Sequence, residues 1–417
     1  MKNNFFNFSI FLIFLPIIFS LIDFVSVYSS YDRNSIEAYV SIDFFSSLIY
    51  LFYAILFGAI SFLSFLFFSS SFNKRLTLNK SLNENSIDNA LKFFSLIFFI
   101  LSLVGFYRIY TFGLLNFFLA AREGLTSIGP IIYFTIIMWP LVLAERFFKK
   151  GATFFNILSL AILIFLNLIT GFRLILVWGL AVLVIFNWQY FISLSNFKKF
   201  TFIVAFLFIS FLYQTFRSIT SGEDTTFFSF YGLINSLNRT YPLHYLDLIF
   251  QSETNLHFFD ILFFWLNPLF IFFNSLGLQL EQTVNLNFYV QEVSTPLFKD
   301  YLAFRGTPTY EATGISISIV SFSFLFSNFI GYLLFSISYG FFISLGSIFS
   351  SQESYILKIL GGTLLVGCLF CNESVTVSTQ LLVFSFVFIV FFVFFVLFIT
   401  LLPTFKRKKN RIYTSNI

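Results

Sequence analysis

Charge is scarce in this chain: Asp, Glu, Lys and Arg together make up 10% of its 417 residues, while 58% are hydrophobic. A soluble fold cannot clothe its surface with so little, so that class is excluded. Histidine and cysteine are rarer still, with two of each. Cys368 and Cys371 form "CLFC" inside an apolar run. They lack the partner cluster and polar context of a metal or redox site and read as packing residues. The chain has no GxxxxGK[ST] phosphate loop and no HExxH. No cofactor and no metal is therefore expected, and energy for any chemistry must come with the substrate. No internal repeat is visible, so an inverted-repeat transporter plan has no support. Residues 5–22 resemble a signal peptide, but no A-x-A-like cleavage site follows, and they read as a first span.

What the chain does have is apolar runs of about 20 residues, the length that crosses a bilayer as a helix. Phenylalanine alone supplies 72 residues, a bias of coding composition rather than a stacking device. The expected fold is an all-α polytopic membrane protein. Its spans fall near 5–27, 42–68, 93–112, 128–144, 154–170, 174–192, 200–216, 322–348, 356–372 and 378–402. That divides the chain into an N-terminal transmembrane bundle over 1–216, a large outer loop over 217–321, C-terminal helices over 322–402 and a basic tail over 403–417. Within the loop, "FFDILFFWLNPLFIFFNSLGLQL" (258–280) is apolar but interrupted by Pro268. It reads as an interfacial or re-entrant segment; if it crosses, the count rises to twelve.

Positive charge sets the orientation. The tail "FKRKKNR" belongs in the cytoplasm, and alternation through ten spans places the N-terminus there too. "NKRLTLNK", "ERFFKK" and "NFKK" then all fall inside. The net charge of +5 follows this topology and implies no nucleic-acid partner. Of the 24 basic residues, the outer side keeps Arg33, Arg108, Arg122, Arg173, Arg217, Arg239, Lys299 and Arg305. All but one are arginine, whereas the inner set is mostly lysine. Arginine's planar fork grips phosphate or carboxylate with two hydrogen bonds at once.

Arg173 stands out, in "FLNLITGFRLILVWGLAVLVIF". It follows a turn that Gly171 permits and opens the next helix, where free N–H groups and the dipole favour an anion. The alternative for this residue alone is a side chain that snorkels to lipid phosphates. Arg217 ends the next span on the same side, so the two are candidates to clamp one diphosphate. "NSLNRTYPLHYLDLIF" adds Arg239 and His244, a base suited to neutral pH, with Asp247 three residues on. "KDYLAFRGTPTYEATGISISI" adds Arg305 and Glu311, the second candidate base. Arg122, beside Glu123 in "FFLAAREGL", is a further binding candidate. The residues leave open which of His244 and Glu311 is the base.

The chain resembles the O-antigen polymerase family, the Wzy-type oligosaccharide repeat unit polymerases. The resemblance rests on ten or more spans, the Gly-x-Arg turn at Gly171 to Arg173, a large Arg-bearing outer loop after Arg217, and "PTYEATGISISIVSF…NFIGYLL" with Glu311, Gly314 and Gly331. It implies a fold like other polyprenyl-phosphate-using membrane glycosyltransferases. The implied substrates are oligosaccharide repeat units on undecaprenyl diphosphate, at the outer face of the bacterial inner membrane. It also implies pathway partners: a flippase and a chain-length regulator, beside the membrane lipids themselves. The growing chain would be the donor, and undecaprenyl diphosphate would leave. Tyr241 and Tyr245 would stack on sugar faces or anchor the interface. An O-antigen ligase would share the Arg sites and differ in acceptor. A lipid-linked oligosaccharide flippase or transporter needs charges through the bilayer, whereas mid-span charges are nearly absent here and charge gathers at one face.

Overall fold

The computed structural model describes residues 5–28, 44–72, 84–112, 129–170, 173–201, 318–324, 328–352, 354–372 and 375–414, with the single positions 204, 246 and 250. These residues form helices and no strands. They are α1 (Phe6–Tyr28), α2 (Phe44–Phe72), α3 (Glu84–Phe112), α4 (Gly129–Lys150), α5 (Phe154–Thr170), α6 (Arg173–Phe186), α7 (Trp188–Ser193), α8 (Ile319–Phe324), α9 (Asn328–Ser350), α10 (Tyr355–Cys371) and α11 (Val375–Thr414). Five of them are long and apolar enough to cross a membrane: α1, α2, α3, α9 and α11. Shorter apolar segments lie in α5, α6 and α10. Burial fits a lipid solvent. On α11, Phe386, Val390, Phe391, Phe394, Leu397 and Phe398 form an exposed stripe at helical spacing. Ser378, Ser385 and Phe388 face inward. The serines are buried while a stripe of phenylalanine is exposed, the reverse of a soluble helix.

Lipid gives helices no hydrophobic reason to associate, so close backbone approach and interhelical hydrogen bonds hold them. The seam between α2 and α9 shows both. Ser61 Oγ donates to the Ser336 carbonyl at 2.9 Å, and Ser64 Oγ to the Ile337 carbonyl at 2.7 Å. Ser69 and Ser344 pair at 3.0 Å. Gly340 lets the backbones meet, because a Cβ there would land on the Ser61 carbonyl. The α9–α10 pair repeats the device at Gly361, where a Cβ would strike the Ser350 amide. Helix α10 sits at the centre and packs on α1, α6, α9 and α11; α4 packs on α3, α5, α6 and α11.

One buried hydrogen-bond chain ties α1, α9 and α10 together. Pro16 lies inside α1 and has no N–H, so the Leu12 carbonyl loses its helical donor. Tyr339 Oη lies 3.0 Å from that carbonyl and 3.1 Å from the Cys368 carbonyl. The Asn372 amide donates to Tyr339 Oη at 2.9 Å and to the Cys368 carbonyl at 3.0 Å. Cys368 is thus served by Asn372, and the phenol hydrogen goes to Leu12. Tyr339→Phe is expected to leave the Leu12 carbonyl bare and cost about 1–3 kcal/mol, read as a lower melting temperature of the purified protein. Both cysteines are buried and free, with Cys371 Sγ 3.1 Å from Ser378 Oγ, as packing residues should be.

Span edges differ from expectation in both directions. Helix α3 starts at Glu84 rather than near 93, and α11 runs on to Thr414 rather than stopping near 402. The 174–192 run breaks at Asn187, between α6 and α7. Its Nδ2 donates to the Leu183 carbonyl at 2.9 Å and lies 3.4 Å from the Ala144 carbonyl of α4.

Candidate functional site

The bundle has two chemically different ends. At one end, α3 and α4 meet through Lys149 Nζ and Asp88 Oδ1, 2.8 Å apart. Arg146 Nε donates to Asn156 Oδ1 of α5 at 3.2 Å. Lys358 Nζ of α10 lies 4.0 Å above the Phe148 ring, and Thr400 of α11 bonds Ser86 at 3.1 Å. The "ERFFKK" segment and Lys358, expected on one side of the membrane, thus share one end of the bundle.

Arg173 belongs to the opposite end. Helix α5 leaves the Arg146–Asn156 level and reaches Thr170; three residues later Arg173 opens α6. The 17 residues of α5 span about 25 Å at 1.5 Å per residue, so Arg173 lies roughly that far from the Arg146–Asn156 level. Helix α6 has 14 residues, enough for a macrodipole with its positive end at Arg173. The structure thus places Arg173 where the sequence put it, at a helix start. Gly171 lies outside the described residues. So do Arg217, Arg239, Arg305, Arg122, His244 and Glu311, and the 258–280 segment.

Two features of the Arg173 end were not anticipated. One is an aromatic cluster around the first turns of α2 and α9. Phe250, from the segment that follows His244, stacks on Tyr50 of α2 at 5.7 Å between centroids and on Tyr53 at 6.0 Å. Phe324 of α8 stacks on Tyr332 at 4.6 Å and meets Tyr53 edge-on at 5.1 Å. Leu246, four residues before Phe250, is fully buried. Phe250 thus packs on both α2 and α8, and Leu246 belongs to the buried core. The second feature is an acid: Asp23, near the end of α1, is fully buried, and its neighbour Phe24 packs on Phe44 at the start of α2.

The other end holds the residue that sequence reasoning missed. Glu145 is 3% exposed, at the point where the apolar run of α4 ends. Its Oε1 lies 4.0 Å from Lys149 Nζ, and its Oε2 has no hydrogen-bond partner. Burial pushes its carboxyl above the ordinary value of 4.5, against the pull of Lys358 and Lys149. The available signal was its place directly after "LVLA", on the buried face one turn before Lys149. A raised folded-state pKa means this group stabilises the fold below about pH 4.5 and loses that contribution as pH rises through the folded value. Wild-type protein is therefore expected to lose melting temperature, relative to Glu145→Gln, as pH climbs from 4 to 7. A pH-independent difference between the two would contradict this.

These features define a class, an all-α membrane protein with a lysine-rich end and an arginine-bearing, aromatic-rimmed end. Among the described residues no group of His, Cys, Asp and Glu is arranged to hold a metal ion. Comparison of the chain with protein-family models, curated proteins and solved structures finds no match.

Proposed function

We propose that the chain polymerises undecaprenyl-diphosphate-linked oligosaccharide repeat units at the outer face of a bacterial inner membrane, for O-antigen or capsule. The observation that carries the reading is the position of Arg173, at the start of α6 and at the end of the bundle away from the lysines. An arginine fork and a helix N-terminus together favour a diphosphate. A helix start at the end of the bundle suits a leaving group whose prenyl chain stays in the bilayer while its phosphates reach the headgroup layer. In the proposed step a hydroxyl of the incoming unit attacks the anomeric carbon of the growing chain. His244 or Glu311 takes the hydroxyl proton. The anomeric C–O bond to the diphosphate breaks, and undecaprenyl diphosphate departs with the bonding pair. Arg173 and Arg217 neutralise the developing charge, with Arg239, Arg305 and Arg122 holding phosphate or acidic sugars. The Tyr50–Tyr53–Phe250 cluster would form an apolar floor at the same end of the bundle.

Deleting the gene tests the reading. Surface glycan from the deletion strain is expected to collapse to a single repeat on a gel, and plasmid-borne wild type to restore the ladder. An unchanged ladder would overturn the polymerase assignment and bring the ligase or transport readings forward.

A further inference from the structure

The cleft between α3 and α4 at the lysine end is not used by the proposed chemistry. Asp88, Leu91 and Lys92 line one wall, and Arg146, Lys149 and Lys150 the other. Each wall is an i, i+3, i+4 set, so each presents one helical face to the cleft. Four basic side chains face one carboxylate, and Asp88 is spent on Lys149 at 2.8 Å. Lys92 and Lys150 are exposed and free of any ion pair given by the geometry of the described residues. Arg146 is held in place by Asn156 at 3.2 Å through Nε and by the Phe155 ring, 4.9 Å from its guanidinium carbon. That contact leaves its two terminal nitrogens for another acceptor. Burial lowers the Arg146 value from its ordinary range, and Asp88 offsets this only in part. The guanidinium is therefore partly desolvated and under-neutralised.

Apolar surface continues from this cleft along the bundle. Leu96, Ile100 and Leu103 follow Lys92 on the same exposed face of α3, and Ile157, Leu158 and Phe165 are exposed on α5. A ligand with a phosphate head and hydrocarbon tails meets both demands at once. The geometry points to a binding site for the headgroup phosphate of an anionic phospholipid, with Lys92, Arg146 and Lys150 as its donors and the α3 and α5 faces as the bed for its acyl chains. A free phosphate shares the head chemistry but gains nothing from the apolar faces; the lipid gains from both.

The test uses the full chain, purified in neutral detergent, with phosphatidylglycerol or phosphatidylcholine of the same acyl chains added in turn. Native mass spectrometry reads retained lipid, and thermal unfolding reads stabilisation. Wild type is expected to retain phosphatidylglycerol in preference to phosphatidylcholine. Arg146→Gln/Lys150→Gln is expected to bind it about thirtyfold more weakly, roughly fivefold for each basic residue removed. Lys198→Gln/Lys199→Gln, the same loss of charge elsewhere, is expected to behave as wild type. If the Arg146 variant fails to fold, Lys92→Gln, an exposed position, carries the same test with a fivefold loss. Equal retention by wild type and cleft variants overturns the site. Equal loss in the control variant also overturns it, since surface charge alone would then suffice. Full competition by millimolar inorganic phosphate overturns the lipid as occupant.

Discussion

Arg173→Ala, present in the membrane at wild-type level, is expected to turn the surface glycan ladder into single-repeat material. Removing one preorganised donor from a developing anion typically costs roughly 3 kcal/mol of transition-state stabilisation, on the order of a hundredfold in rate. A polymerase amplifies that loss. If each elongation step slows a hundredfold, long chains vanish before short ones do. Arg173→Lys separates charge from geometry: it keeps the charge but loses the fork, and is expected to give a shortened ladder. A full ladder from Arg173→Ala would mean that the side chain merely anchors the α5–α6 turn on lipid phosphates. Neither substitution removes a backbone N–H or C=O, so the hydrogen bonds of α6 are kept. Folding is thus expected to survive, and the same preparation can be checked by its melting temperature.

Gly340→Val should have the largest effect on the fold. A Cβ at this position meets the Ser61 carbonyl and lies 2.9 Å from Ser64 Cβ. The obstacle is backbone, which no rotamer change relieves, so α2 and α9 must part. Parting breaks the Ser61–Ser336 and Ser64–Ile337 hydrogen bonds, and in lipid no water replaces them. A loss of about 3 kcal/mol is expected from overpacking alone. The measurement is the temperature at which the detergent-solubilised protein loses its monodisperse elution peak. Leu334→Val, on the same helix but 51% exposed, is expected to change it little. Equal melting of Gly340→Val and wild type would show that the seam does not hold these helices together.

The helices themselves were readable from apolar runs, because hydropathy reports the thickness of hydrocarbon a segment can cross. It does not report where hydrogen bonding stops. That is why α3 reaches back through Asp88 and Lys92 to Glu84, and why α11 carries on through "KRKK" to Thr414. Asn187, with φ −101° and ψ 25°, interrupts the 174–192 run, and its side chain bonds a helix 43 positions away. The Tyr339–Leu12 bond joins positions 327 apart and could not be inferred from either neighbourhood. Glu145 looked like a boundary charge, and only packing shows that it is buried. Arg173 was legible because a glycine and a charge interrupt an apolar run, and a helix start is what such punctuation produces. The remaining candidates, Arg217, Arg239, Arg305, Arg122, His244 and Glu311, lie outside the described residues, so their mutual placement is carried by the resemblance alone.

The most direct test of the central claim is reconstitution. The purified chain, placed in liposomes with its undecaprenyl-diphosphate-linked repeat unit and without added nucleotide, would be followed by product length and by released lipid diphosphate. The account predicts glycans at whole-number multiples of the repeat, with one undecaprenyl diphosphate released for each linkage formed. Substrate that stays a single repeat with wild-type protein and releases no lipid diphosphate would contradict it.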